Sequence, residues 1–180
     1  MDILRQIDID IFRFINRDCH TSVLDAVMPY ITEIGGGKFI FAIAVVLLFF
    51  KRRDIKLTGI ILLAGLTACY QSVYILKNII GRPRPFLSVA NVNTLFATDG
   101  FSFPSAHAAM AFMAAVILAR NFGRDYVFYP LAVVVALSRV YLGVHFPSDV
   151  AAGACVGALI GYLLTSVAEN IKKAYSTSRL

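Results

Sequence analysis

Lys77, Arg84 and Arg139 supply three cations, and His107, His145 and Asp149 supply two imidazoles and a carboxylate, all within residues 77–149. Two of the cations carry forked guanidinium donors that match the non-bridging oxygens of a phosphate. Ser105 adds a hydroxyl, and the backbone N–H groups at the start of its helix are suited to an anion. Such donors also stabilise the equatorial oxygens during phosphoryl transfer, where positioning and electrostatics supply most of the catalysis. His145 and Asp149 lie four apart across the start of a helix. The carboxylate can therefore hold one ring nitrogen and leave the other free to attack phosphorus. His107, from a different helix, can protonate the leaving oxygen and then activate water. The chemistry that fits is hydrolysis of a phosphate ester or diphosphate.

These residues are separated by long apolar runs, which must position them. Residues 2–18 place Ile3, Leu4, Ile7, Ile11, Phe14 and Ile15 at three- and four-residue steps, predicting an amphipathic helix at a membrane surface. Residues 22–34 predict a second short helix, and Gly35-Gly36-Gly37 a turn or a kink within a longer helix. Five spanning candidates follow, at about 37–50, 57–76, 105–119, 126–142 and 148–168, and the first can extend back into 22–34. The prediction is an all-α polytopic bundle of five to six spans. It forms one domain over 1–180: residues 1–34 interfacial or partly inserted, 37–168 the transmembrane core, 169–180 a cytoplasmic tail. Gly153, Gly157 and Gly161 repeat every four residues on the last span, a spacing that lets helices approach closely in lipid. An up-down path brings the end of the second span, the start of the third, the end of the fourth and the start of the fifth to one face. The site residues sit at those ends.

Composition agrees. A chain of 180 residues that is 58% hydrophobic and 16% charged cannot hide its apolar surface as a soluble domain. The net charge of +6 is scattered between apolar runs and forms no stripe with interleaved aromatics, which argues against nucleic acid. Cys19, Cys69 and Cys155 have no paired spacing and read as packing residues. No secretory signal is legible at the start. Lys51, Arg52, Arg53, Lys56, Arg120, Arg124, Lys172, Lys173 and Arg179 fall on one side if every span crosses. The opposite side holds Arg5, Arg13, Arg17 and Lys38 besides the cations near the site, so the first group is expected in the cytoplasm. The 81–103 loop and the site then face outward. Snorkelling to headgroups explains any single boundary cation, but not the set arranged around two histidines and an aspartate. His20, without a partner in the pattern, reads as structural, and Asp99 as a solvated loop carboxylate.

The full pattern is Lys77, six residues, Arg84-Pro85; Pro104-Ser105-Ala106-His107; Ser138-Arg139, five residues, His145, three residues, Asp149. It resembles the three-part signature of the type-2 phosphatidic acid phosphatase superfamily, which also includes glucose-6-phosphatase and the vanadium haloperoxidases. The resemblance implies a phosphatase that needs no metal or other cofactor and forms a phosphohistidine. His145 would be the nucleophile, Asp149 its orienting partner and His107 the acid/base, with Lys77, Arg84, Ser105 and Arg139 binding phosphate. Arg82 lies outside the fixed positions and is a secondary contact. Ala106 stands where the family usually has glycine: it keeps the N–H, but a position needing positive φ would resist it. The implied substrate is a membrane lipid headgroup: undecaprenyl diphosphate, phosphatidylglycerophosphate, phosphatidic acid or the phosphates of lipid A, in a bacterial inner membrane. Residues 2–18 and 86–103 are the expected specificity elements. The alternatives are a phosphatase of water-soluble esters and an inactive membrane scaffold or lipid transporter. The latter is expected to have lost one of His107, His145 or Asp149, and all are present. No oligomeric state is legible.

Overall fold

The computed structural model describes residues 2–95 and 98–177, and the described residues are helical, with no strand. The order is α1 (Asp2–Arg13), a π-helical turn (Phe14–Asp18), α2 (Ser22–Ile34), α3 (Gly37–Leu48), α4 (Arg53–Ile80), the short α5 (Pro85–Ser88), α6 (Ala106–Phe122), α7 (Asp125–Tyr141) and α8 (Pro147–Thr177). Each predicted span corresponds to one of α3, α4, α6, α7 and α8. The 35–37 glycines form a break: α2 and α3 meet at 49°. α8 runs on to Thr177, past the apolar stretch that ends near 168, and Glu169, Lys172 and Lys173 on this extension are exposed. Arg179 and residues 96 and 97 of the expected specificity loop lie outside the described residues.

α4 and α8 are long and apolar enough to cross a membrane, and the bent α2–α3 pair meets the same length and composition if its two helices count as one span. Their outer surfaces carry exposed Ile60, Ile75, Leu159 and Leu163, the inverse of a soluble protein. Lipid tails are as apolar as these side chains, so helix association here depends on close van der Waals contact more than on removal of surface from water. α6 is the central post. Its small residues Ala108, Ala109, Ala111, Ala114, Ala115 and Ala119 are buried against the surrounding helices. The glycine repeat of α8 faces it: a Cβ on Gly157 would overlap the backbone carbonyl of Ala109, and one on Gly161 would come to 2.8 Å from the Met113 carbonyl. Between α3, α4 and α6, Ile40, Leu62, Cys69, Met113 and Ile117 fill the interior.

Helix ends at the other face of the bundle stop by local rules. α4 closes on Gly81 in the left-handed region (φ 63°), whose N–H bonds the Lys77 carbonyl at 2.9 Å. Ser105 caps α6, its hydroxyl accepting from the Ala108 N–H at 3.5 Å. Pro147 opens α8, where a missing N–H costs nothing.

Candidate active site

Lys77 leaves the last turn of α4, and the Gly81 cap then turns the chain into Arg82-Pro83-Arg84-Pro85. Each arginine precedes a proline, which drives it to extended backbone, as at Arg84 (φ −74°, ψ 157°). In such a three-fold path, residues two apart point in different directions. Arg84 is 6% exposed and donates to the carbonyls of Asp99 (2.9 Å), Gly100 (2.9 Å) and Val144 (3.0 Å). The Lys77 ammonium donates to the carbonyls of Phe101 and Ser102. The 99–102 backbone is thus a clamp that fixes both cations. These bonds leave each cation further N–H donors, since a guanidinium has five and an ammonium three.

Arg139, 3% exposed on the last turn of α7, donates to the Thr32 hydroxyl of α2 at 2.9 Å. His107 is half-buried on the first turn of α6 beside the α2–α3 break, and a Cβ on Gly36 would sit 3.5 Å from its Nε2. The charges of Arg84 and Arg139 act on Lys77, His107 and His145, so residues from α4, the following loop, α6, α7 and the α7–α8 loop form one electrostatic cluster.

His145 hangs from the α7–α8 loop, which Gly143 makes tight: its φ is 75°, and a Cβ there would meet the Asn93 carbonyl at 2.7 Å. His145 Nδ1 faces Asp149 Oδ2 at 3.6 Å and has no nearer hydrogen-bond partner among the described residues. That is slightly long for a hydrogen bond, as is common before substrate binds. Burial pushes the His145 imidazole well below its ordinary pKa; the Asp149 carboxylate opposes this, and the Arg139 and Arg84 charges add to it. That direction favours the neutral ring, which has a lone pair available on one nitrogen. Asp149, fully buried, is held from several sides. Oδ2 accepts from the Phe146 N–H (2.8 Å) and the Ser102 hydroxyl, and Oδ1 accepts from Arg82 (2.6 Å).

The sequence-predicted residues Lys77, Arg84, Ser105, His107, Arg139, His145 and Asp149 therefore gather at one end of the bundle, and the basic loops at 51–56 and 120–124 lie at the other. Ser105 is fully buried: its hydroxyl is engaged as a helix cap, and its N–H donates to the Asp149 carbonyl at 2.9 Å. Ala106 is the first residue of α6, and Asn91 is the one non-glycine residue with positive φ among those described, so alanine carries no strain where glycine was expected. Arg82, expected as a secondary contact, directs its guanidinium to the carboxylates of Asp8 and Asp149. His20 is structural as expected, 2.8 Å from Asp25 and stacked on Tyr141. Thr32, Ser102 and Asp8 were not singled out from the sequence. Only Ser102 had a signal, its place two residues before Pro104 of the Pro104-to-His107 segment.

Comparison with known proteins identifies the family. The PAP2 superfamily model matches residues 55–173. The decaprenylphosphoryl-5-phosphoribose phosphatase of Mycobacterium tuberculosis is 36% identical over 128 residues, covering 69% of this chain and 67% of that one. An undecaprenyl-diphosphatase of Bacillus subtilis is 31% identical over 161 residues, 85% and 79% of the two chains. The crystal structure of a transmembrane PAP2-type phosphatidylglycerolphosphate phosphatase from Bacillus subtilis superposes with a TM-score of 0.81 at 27% identity, covering 95% of this chain and 89% of that one. The matched segment contains the whole cluster around His145, and the chain belongs to the PAP2 superfamily as an integral membrane phosphatase.

Proposed function

We propose that this protein removes a phosphate from a lipid headgroup, either a monoester or the outer phosphate of a diphosphate, through a phosphohistidine at His145. The observation that carries the reading is the buried His145 facing Asp149 at 3.6 Å, with the Lys77, Arg84 and Arg139 cations at the same end of the bundle. Lys77, Arg84, Arg139 and the N–H groups opening α6 bind the phosphoryl oxygens. The unprotonated His145 nitrogen attacks phosphorus in line, forming the P–N bond as the P–O bond to the leaving group breaks. His107, protonated once the bound phosphate's negative charge offsets the Arg84 and Arg139 charges beside it, gives that proton to the leaving oxygen. It then takes a proton from water, whose oxygen attacks phosphorus, breaks the P–N bond and releases inorganic phosphate. Asp149 keeps the Nδ1–H tautomer of His145 and stabilises the ring while it carries positive charge. No step needs a metal ion.

The relatives act on lipids as different as a decaprenylphosphoryl sugar phosphate and undecaprenyl diphosphate. Shared chemistry therefore points to the headgroup phosphate rather than to one lipid. The reading includes five to six spans in one membrane domain, with α2–α3 as one broken span and α1 lying at the interface through exposed Ile3, Leu4 and Ile7. The basic loops at the far end support a cytoplasmic position for that end. The site then opens on the extracytoplasmic face of a bacterial inner membrane, where a lipid can present its phosphate with its tails still in the bilayer.

The test is a headgroup panel with purified protein in detergent and a chelator, run beside water-soluble phosphate esters. Lipid phosphates should be hydrolysed, and alkali-quenched reactions with labelled phosphate should trap label on protein that acid removes. His145→Ala should lose both. Preference for the soluble esters, or activity surviving His145→Ala, refutes the proposal.

A further inference from the structure

The start of α8 is capped by a residue from the other end of the sequence. Helix starts leave backbone N–H groups that a side chain at the preceding residue usually satisfies. That residue here is Phe146, which has no acceptor. Asp8 of α1 takes the role instead: Oδ1 accepts the Ser148 N–H at 2.8 Å, and Oδ2 accepts the Ser148 hydroxyl at 2.5 Å. The same Oδ2 pairs with Arg82 Nη2 at 2.7 Å, while Arg82 Nη1 reaches Asp149 Oδ1 at 2.6 Å and Ser148 Oγ at 2.7 Å. The guanidinium lies 4.1 Å over the Phe146 ring, against which Phe12 of α1 packs at 5.4 Å. Asp8 is only 8% exposed, although Leu4 and Ile7 on the same helix are largely exposed. A buried ion pair of this kind is weak support for stability, because apolar side chains of similar volume generally do as well. What an apolar replacement cannot do is fix the rotation of a carboxylate. Oδ1 of Asp149 is held by Arg82, and that hold acts together with the Phe146 N–H and the Ser102 hydroxyl on Oδ2 to fix the carboxylate against the His145 ring.

We propose that Asp8 is a positioning residue for the hydrolytic reaction, acting through Arg82 and Ser148 to fix the Asp149 carboxylate against His145. The proposal rests on the reading of His145 and Asp149 as nucleophile and orienting partner. It makes the amphipathic helix α1 part of the catalytic apparatus rather than a membrane anchor alone.

The experiment measures kcat and KM on a short-chain lipid phosphate for full-length Asp8→Asn, Asp8→Glu, Asp149→Asn and the Asp8→Asn/Asp149→Asn double variant, with melting temperatures in the same detergent. Asp8→Asn keeps the shape and an acceptor for Ser148 but removes the charge that holds Arg82. Its kcat should fall on the order of 10- to 100-fold, the scale of a small misplacement at a reacting centre, with KM changed less than about threefold. Asp8→Glu should recover part of that loss. In the Asp149→Asn background, Asp8→Asn should cost less than about twofold more, because the residue it acts through is already disabled. If Asp8→Asn does not accumulate folded, Ser148→Ala, which deletes one hydroxyl of the relay, is judged by the same fall in kcat at constant KM. Unchanged kcat, a change confined to KM, or losses that multiply in the double variant would overturn the proposal. A crippled Asp149→Asn beside a fully active Asp8→Asn refutes this proposal alone; a fully active Asp149→Asn refutes the site reading itself.

Discussion

The glycine repeat of α8 offers a way to separate packing from catalysis, because its members meet the same partner helix at different distances from the site. A Cβ on Gly153 would overlap the Ser105 carbonyl and come to 3.2 Å from the Ala108 methyl. A Cβ on Gly161 would approach the Met113 carbonyl at 2.8 Å and Val116 at 3.0 Å. Both contacts involve backbone, which cannot rotate away as a flexible side chain would, so α6 and α8 must part. Overpacking of this kind costs about 1–3 kcal/mol, and Gly153→Ala and Gly161→Ala should both lower the melting temperature. Their effects on turnover should differ. Gly153 presses on Ser105, whose N–H donates to the Asp149 carbonyl at 2.9 Å, and Ser105 opens the helix that carries His107. A displacement of roughly 1 Å there separates His107 from His145, and such misplacement can cost about 100-fold in kcat. Gly161 lies eight residues further along, roughly 12 Å down the helix axis at 1.5 Å per residue. The assay pairs thermal melting in detergent with steady-state hydrolysis of a short-chain lipid phosphate well below either melting temperature. Gly153→Ala should lose at least tenfold in kcat, on the order expected for a shifted reacting group, while Gly161→Ala stays within about twofold. Equal kcat for the two variants, with both destabilised, would refute the claim that the α6–α8 contact sets the site geometry.

Three further outcomes are expected. Vanadate, which can adopt the five-coordinate geometry of the transferring phosphoryl group, should inhibit competitively with substrate, and full activity in millimolar vanadate would rule out the proposed cluster as the phosphate site. Thr32→Val removes the acceptor bonded to Arg139 while keeping the shape; losing a hydrogen bond to a charged group should lower kcat/KM by about tenfold, read from initial rates. Ala106→Gly should leave kcat/KM within about twofold and slightly lower the melting temperature, because the residue sits in ordinary helix where glycine is the poorer former by about 1 kcal/mol.

Apolar run length and the residues that punctuate it determined the helices. Gly81 ends α4, Ser105 caps α6 and Pro147 begins α8, each by a rule that operates within a few residues, so the helices were legible locally although the 57–76 span stops short of α4 at both ends. The spacing of Lys77, Arg84, His107, Arg139, His145 and Asp149 announced the chemistry for the same reason: every one of them lies at a helix end or in a loop next to one. What tertiary structure alone decided is the company those residues keep. Thr32 reaches Arg139 across 107 residues of sequence, and Asp8 reaches Ser148 across 140. Neither has a periodic or motif signal, because a single polar side chain acquires a partner only when helices distant in sequence are brought side by side. Arg82 shows the limit most clearly. Two positions from Arg84, and of the same type, it turns to two carboxylates while Arg84 turns to three carbonyls. The direction of each guanidinium is set by the path of the chain between two prolines and by what the bundle places beside it.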